Sequence, residues 1–125
     1  MVERKEKEVL KKQYEEQGSC CYYCEEKVPY SLITRDHINP KSKGHTFINN
    51  KVFACRACNS VKGDKSLEEF QKYMLNKACN MLRAVANQKF MASQDQVDKI
   101  KYYTKVSRKV LTILENGGKP DMIFT

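Results

Sequence analysis

The sequence predicts an α+β fold: a small metal-stapled ββα centre with flanking helices and a mostly helical C-terminal half. Three observations predict it. Two CxxC pairs bracket two short β-prone runs, helical periodicity dominates after residue 66, and 125 residues suit one domain with a small core. We divide this single domain, 1–125, into an N-terminal helix (1–17), a central part (18–70) and C-terminal helices (71–116).

The first predicted elements are a helix and two strands. Residues 3–16 carry a narrow apolar stripe among charges, and Gly18 is a stop signal. Two β-prone runs follow at 31–37 (SLITRDH) and 51–55 (KVFAC), as in a hairpin. The 13 residues between them, INPKSKGHTFINN, are long for a hairpin loop, and loops of this length are often functional.

The remaining elements are predicted to be helices. A short helix after Cys58 should end at Gly63. Ser66 and Glu69 form a capping box for a longer helix, and Ser93 marks the start of another. The predicted apolar faces of the two long helices are Leu67, Phe70, Met74, Ala78, Leu82 and Val85, and Val97, Ile100, Tyr103, Val106, Val110 and Leu114.

Charge and composition bound the class of protein. The net charge is +8, and residues 76–125 carry nine basic and four acidic groups. Such a surplus suits a partner with many negative charges, such as a nucleic acid. No apolar run approaches the roughly 18–20 residues of a membrane span. The charged start, MVERKEKEVLKK, lacks the apolar centre of a signal peptide, so we expect an intracellular, cytoplasmic protein with no membrane partner.

Two cysteine pairs predict a structural zinc site. Cys21-Tyr-Tyr-Cys24 and Cys55-Arg-Ala-Cys58 are separated by 30 residues. Two residues between thiolates let one turn place both sulfurs on one ion, and two such turns form a closed tetrahedral site for Zn²⁺. The alternative, a redox CxxC, is disfavoured by the presence of two pairs. Cys79 lies near the apolar face of a long helix, where we expect a buried core cysteine.

A second candidate site lies at the end of the first predicted strand. Asp36 supplies an oxygen ligand of the kind that Mg²⁺ prefers, and His37 supplies an imidazole that takes protons near pH 7. Neighbouring strand side chains point to opposite faces, so the two share a site only if the strand ends or bends there. Without further context, an Asp-His pair is more typical of a hydrogen-bond motif at the start of a loop.

The order of these motifs resembles the HNH endonuclease family, of the ββα-metal type with a four-cysteine zinc. The resemblance covers residues 18–70 and rests on YC, an apolar residue before DHI, P-x-S-x-G, N-x-V, AC-x-x-CN and KGD. It implies that His37 is the general base and Asp36 a ligand of the catalytic metal. It also implies that Asn50 holds the loop and orients the histidine, and that Asn59 is a second metal ligand in an HNN variant.

The resemblance implies hydrolysis of DNA phosphodiester bonds with one Mg²⁺ or Mn²⁺ beside the structural zinc. His37 would take the proton of the attacking water. The basic residues expected to contact backbone phosphates are Arg35, Lys41, Lys43, Arg56, Lys62 and Lys65. Because many small stand-alone proteins of this family are products of phages or mobile elements, we expect a bacterial or viral source.

Three points in the motif stay open. Asn49 precedes Asn50, and we prefer Asn50 because it lies nine residues before Asn59 and directly before the second strand. Many family members have Gly-Gly where this chain has Gly44-His45. Asn59 is also a good residue for a helix N-cap, a role that competes for the same side-chain oxygen.

Two other functions remain open. One is a non-catalytic, zinc-stabilised module that binds nucleic acid, which explains the charge and the cysteines. The other is an assembly or packaging accessory protein of phage type, with a phage or mobile-element protein as its partner. The basic C-terminal helix suits either contact with DNA or a homodimer.

Overall fold

The structure is a computed structural model, and it describes residues 2–38 and 51–117. Its elements in chain order are α1 (Val2–Glu16), β1 (Thr34–His37), β2 (Lys51–Ala54), α2 (Arg56–Lys62), α3 (Leu67–Asn87) and α4 (Gln94–Glu115). The two strands form an antiparallel sheet, followed directly by α2. The predicted α+β fold, a small ββα centre with flanking helices, is confirmed.

The hairpin is shorter than predicted at its start. The strand begins at Thr34 rather than Ser31, because the amides of Leu32 and Ile33 both donate to the carbonyl of Pro29 and form a turn. Within the sheet, β1 and β2 are in register over four residue pairs. His37 is the last residue of β1, and it pairs with Lys51, the first residue of β2.

The short helix α2 begins earlier than predicted. Cys55 is its N-cap, and the Cys55 Sγ accepts from the backbone N–H of Cys58 at 3.4 Å. Asn59 lies one turn inside the helix, since its N–H donates to the Cys55 carbonyl at 3.0 Å. The interpretation of Asn59 as an N-cap is therefore wrong. Gly63 ends the helix as predicted, with a positive φ of 48° that suits glycine.

Helix α1 is tied to the sheet by the side chain of Gln17. Its Nε2 donates to the Phe53 carbonyl at 2.8 Å, and its Oε1 accepts from the Phe53 N–H at 3.1 Å. The carboxamide thus pairs with β2 as the backbone of a neighbouring strand would. One turn earlier, the buried Tyr14 donates to the Val28 carbonyl and meets the Phe53 ring edge-on.

The two long helices start where predicted, after Ser66 and Ser93, and each start has a capping box. The helices pack against each other. In α3 the last buried residue is Ala78, and in α4 the first is Val106. The core therefore occupies one end of this helical hairpin. For this reason Leu82, predicted to face the core, is 51% exposed, and Cys79 is half-buried rather than buried.

The core lies where the cysteine pairs, the sheet and the buried end of the hairpin meet. The fully buried rings of Tyr23 and Phe70 pack edge to face with their centroids 5.4 Å apart. Val106 and Val110 reach this core from α4. None of the helices within 2–38 and 51–117 is both long enough and apolar enough to cross a bilayer.

Candidate metal centre and active site

Four cysteine sulfurs lie together, two from the segment before the hairpin and two from the start of α2. The Sγ atoms of Cys21, Cys24, Cys55 and Cys58 are all within 4.8 Å of one another. The Cys24 and Cys55 sulfurs are 3.8 Å apart, which equals the edge of about 3.8 Å of a tetrahedron with Zn–S bonds of about 2.3 Å. All but the half-buried Cys55 are buried. The cluster therefore has the donor set and the spacing to hold zinc.

Hydrogen bonds among the four thiols shift their pKa values in opposite directions. Hydrogen bonding with Cys24 lowers the pKa of the Cys21 thiol to about 6, while hydrogen bonding with Cys21 lowers the pKa of Cys55. The same bonding with Cys21 raises the pKa of Cys24 and of Cys58. Four thiolates at this separation would repel one another strongly. A divalent cation at their centre removes that repulsion and allows all four to be thiolates.

Asp36 lies in a buried polar environment, in contact with Tyr23 from inside the first cysteine pair. The residue is 5% exposed, and its Oδ2 accepts from the Tyr23 hydroxyl at 2.6 Å. The ammonium of Lys62 lies 3.2 Å from the same oxygen and donates to the backbone carbonyl of His37 at 2.6 Å. Burial raises the pKa of Asp36 and lowers the pKa of Lys62, and the charge of each partner opposes the other's shift. Helix α2 thus supplies a cation to the end of β1.

Asn59 reaches the same strand two residues earlier. Its Nδ2 donates to the Thr34 Oγ1 at 2.9 Å, and that hydroxyl donates to the Ala54 carbonyl at 2.6 Å. Thr34 and Asp36 lie on one face of β1 because they are two residues apart. Asn59 and Lys62 lie on one face of α2 because they are three residues apart. Helix α2 therefore lies against one side of β1, with Asn59 on Thr34 and Lys62 on Asp36.

The expected metal ligands Asp36 and Asn59 are thus on the same side of the strand, but each has its own partners. Asp36 is held by Tyr23 and Lys62, and both contacts use its Oδ2. Asn59 uses its amide nitrogen. Among the described residues, the Oδ1 atom of neither side chain makes a hydrogen bond. Two oxygen donors therefore remain, which is the donor chemistry that a hard divalent cation requires.

His37 is the last residue of β1 and lies opposite Lys51 in the sheet. Its side chain is half-buried, and its Nε2 atom is shielded from solvent. The strand ends where the sequence suggested, and the following residue, Ile38, is fully buried. The end of the strand is held in place by the contact of Lys62 with the His37 carbonyl.

The basic residues expected around the site differ in exposure where the structure describes them. Arg35 and Arg56 are exposed. Lys65 is half-buried. Its ammonium donates to the Val61 carbonyl at 2.7 Å and lies 4.6 Å from the centre of the Tyr73 ring. Lys62 departs from the expectation, because its fully buried ammonium neutralises Asp36 and is not available at the surface. The predicted residues Lys41, Lys43, Asn49, Asn50 and His45 lie outside the described residues.

Sequence reasoning did not identify Tyr23 and Thr34 as partners of the site. Both contacts join residues distant in the chain, so no local pattern marks them. A signal did exist for Lys62, since its spacing of three from Asn59 places both on one face of a helix.

The comparison with protein families finds a match over the central part of this chain. Residues 21–75 match the family model described as HNH endonuclease. The matched stretch begins at Cys21, the first cysteine of the cluster, contains the hairpin and α2, and ends inside α3. The comparison with curated proteins finds no match to this chain. The predicted resemblance is therefore confirmed over the central part of the chain.

Proposed function

From the match of residues 21–75 to the HNH endonuclease family, we propose that this chain is a metal-dependent endonuclease that hydrolyses DNA phosphodiester bonds. The observation that supports it best is the packing of α2 against β1. This packing brings Asp36 and Asn59 to one side of the strand that ends at His37. Oxygen donors and an imidazole are the groups that metal-assisted hydrolysis requires.

In this proposal the oxygen atoms Oδ1 of Asp36 and Asn59 would hold one Mg²⁺ or Mn²⁺. The metal would supply positive charge to stabilise the charge that develops on the phosphate during hydrolysis. His37 takes a proton from the attacking water, a role that suits a neutral imidazole near pH 7. Asn50 orients the imidazole.

The remaining described residues of the site position these groups. The Tyr23 hydroxyl and the Lys62 ammonium fix the Asp36 carboxylate through its Oδ2. Lys62 also fixes the His37 carbonyl, so one side chain aligns both consecutive residues. Thr34 holds the Asn59 carboxamide through its nitrogen and leaves the oxygen to the proposed metal. Partners of this kind set the orientation of ligands and are costly to remove.

We further propose that the four cysteines hold a structural zinc that shapes the site without taking part in the reaction. A site closed by four thiolates leaves no position for substrate. Exposed Arg35 and Arg56, together with Lys65, Lys41 and Lys43, would contact backbone phosphates and position the DNA. Each such contact releases counterions, so binding should weaken as salt rises.

One observation favours a second function, a non-catalytic zinc-stabilised module that binds nucleic acid. The ammonium of Lys62 already neutralises Asp36, which reduces the need for a metal ion at this carboxylate. In such a protein the buried pair would be structural, and the zinc and the basic surface would account for binding.

Cleavage assays separate the two functions. Supercoiled plasmid, linear duplex, single-stranded DNA and RNA are incubated with the protein over a titration of Mg²⁺ and of Mn²⁺, with EDTA as control. His37→Ala, purified in parallel, excludes a contaminating nuclease. We expect nicking or linearisation by the native chain that EDTA and His37→Ala abolish. Binding without cleavage across all metals and substrates would establish the binding module instead.

A further inference from the structure

The sulfur cluster has a contact that comes from outside the family match. The hydroxyl of Tyr102, on α4, lies 3.1 Å from the Cys58 Sγ. Cys58 is fully buried and Tyr102 is half-buried, so the contact is shielded from water on the cysteine side. The two residues are 44 positions apart, and Tyr102 lies well beyond residue 75, where the match ends.

We propose that Tyr102 is a positioning residue of the zinc site, with its hydroxyl donating to the Cys58 thiolate and slowing the loss of the metal. The direction of the bond follows from the chemistry, because a zinc-bound thiolate has no proton and only accepts. A donated hydrogen bond fixes the orientation of the Cys58 sulfur as a ligand. Outer partners of this kind contribute to metal affinity, so the bond favours retention.

The docking of α4 holds Tyr102 in this position. The Lys109 ammonium lies 4.4 Å from the centre of the Tyr22 ring, inside the first cysteine pair. Lys105 lies 4.0 Å from the Glu25 carboxylate, just after that pair. Val106 and Val110, which directly follow these two lysines, are fully buried. Helix α4 therefore packs over the turn that carries Cys21 and Cys24. In this proposal, metal retention is coupled to the docking of the C-terminal helix.

The neighbouring residue provides a matched control. Tyr103 is also half-buried, and its ring packs against that of Tyr102 with centroids 5.5 Å apart. The described contacts of Tyr103 include no cysteine of the cluster. Tyr102→Phe and Tyr103→Phe each remove one hydroxyl from the same turn of α4, but only the first removes a bond to a zinc ligand.

The first test measures zinc release from the full chain. Zinc-loaded native, Tyr102→Phe and Tyr103→Phe proteins are mixed with excess of a coloured chelator, and release is followed by absorbance. We expect Tyr102→Phe to release zinc about tenfold faster or more, since partners of this kind contribute roughly 10–100-fold to metal affinity. Tyr103→Phe should match the native rate. Equal rates for Tyr102→Phe and the native protein would overturn the proposal.

A second measurement excludes a general loss of stability. In the Co²⁺-substituted proteins, the sulfur-to-cobalt charge-transfer band reports the charge on the thiolates. We expect this band to shift in Tyr102→Phe and to stay unchanged in Tyr103→Phe, and an unchanged band in both would overturn the proposal even if release is faster. Neither measurement uses DNA. The inference rests on the proposed zinc and not on cleavage, so its failure and that of the nuclease proposal are distinguishable.

Discussion

The Lys62 ammonium lies 3.2 Å from the Asp36 carboxylate, and the two side chains are 0% and 6% exposed. The same ammonium donates to the His37 carbonyl at 2.6 Å. One lysine from α2 therefore holds two consecutive residues at the end of β1. Because each buried charge compensates the other, neither is tolerated well alone.

Replacement of Lys62 by methionine should destabilise the protein by about 3–5 kcal/mol, since it leaves the Asp36 carboxylate buried without a counter-charge. Urea unfolding followed by circular dichroism measures the change. Lys65→Met is the matched control, because its half-buried ammonium contacts a carbonyl and an aromatic ring, and we expect a loss of about 1 kcal/mol or less.

The pair is tested further by removing both charges. Asp36→Asn combined with Lys62→Met should be more stable than Lys62→Met alone, because the amide carries no charge that needs compensation. If Lys62→Met unfolds at the native urea concentration, the ammonium does not compensate the carboxylate, and our account of the end of β1 is wrong.

Asn59→Ala should raise the concentration of Mn²⁺ needed for half-maximal plasmid nicking, because it removes one of the two proposed oxygen ligands. Ser60→Ala, at the exposed position next to it on α2, is the control and should leave the metal dependence unchanged. The loss of the hydrogen bond to Thr34 should cost about 1 kcal/mol of stability, so the variant should stay folded. Identical metal titrations for Asn59→Ala and the native protein would exclude Asn59 as a ligand.

Local patterns in the sequence predicted the parts of the structure that depend on local physics. Two capping boxes, Ser66 with Glu69 and Ser93 with Gln96, satisfy the first amides of their own helices. The three-residue spacing in the sequence was therefore sufficient to predict where both helices begin. The position of Cys55 as the N-cap of α2 was missed, because its sulfur was assigned to metal alone. A local reading does not include this second role.

The contacts that were missed join distant segments. Lys62 meets Asp36, and Tyr102 meets Cys58, only after the hairpin, α2 and α4 have packed together. From the sequence, Lys62 was therefore interpreted as a surface charge, because most lysines are exposed. Similarly, Leu82 fits the apolar stripe of α3, but its burial depends on how far the core extends along the helical hairpin. Periodicity shows which face is apolar and not where the neighbouring elements end.

Gln17→Ala should destabilise the protein by about 2–3 kcal/mol, because the carboxamide makes hydrogen bonds to both backbone groups of Phe53 in a buried position. Gln13→Ala, four residues earlier on α1, is the control, since its buried Oε1 has no hydrogen-bond partner among the described residues. We expect Gln13→Ala to cost less than 1 kcal/mol, as judged by urea unfolding. Comparable losses in the two variants would show that the pairing with β2 contributes nothing specific.

Cys55→Ala should remove bound zinc and cause unfolding or aggregation, because the residue supplies both a sulfur of the cluster and the N-cap of α2. Zinc content by mass spectrometry and the melting temperature provide the measurement. Cys79→Ala is the matched control, since this half-buried cysteine on α3 is outside the cluster. We expect it to keep zinc at one ion per chain and to melt within a few degrees of the native protein. A soluble, zinc-free Cys55→Ala with the native melting temperature would contradict the structural role of the metal.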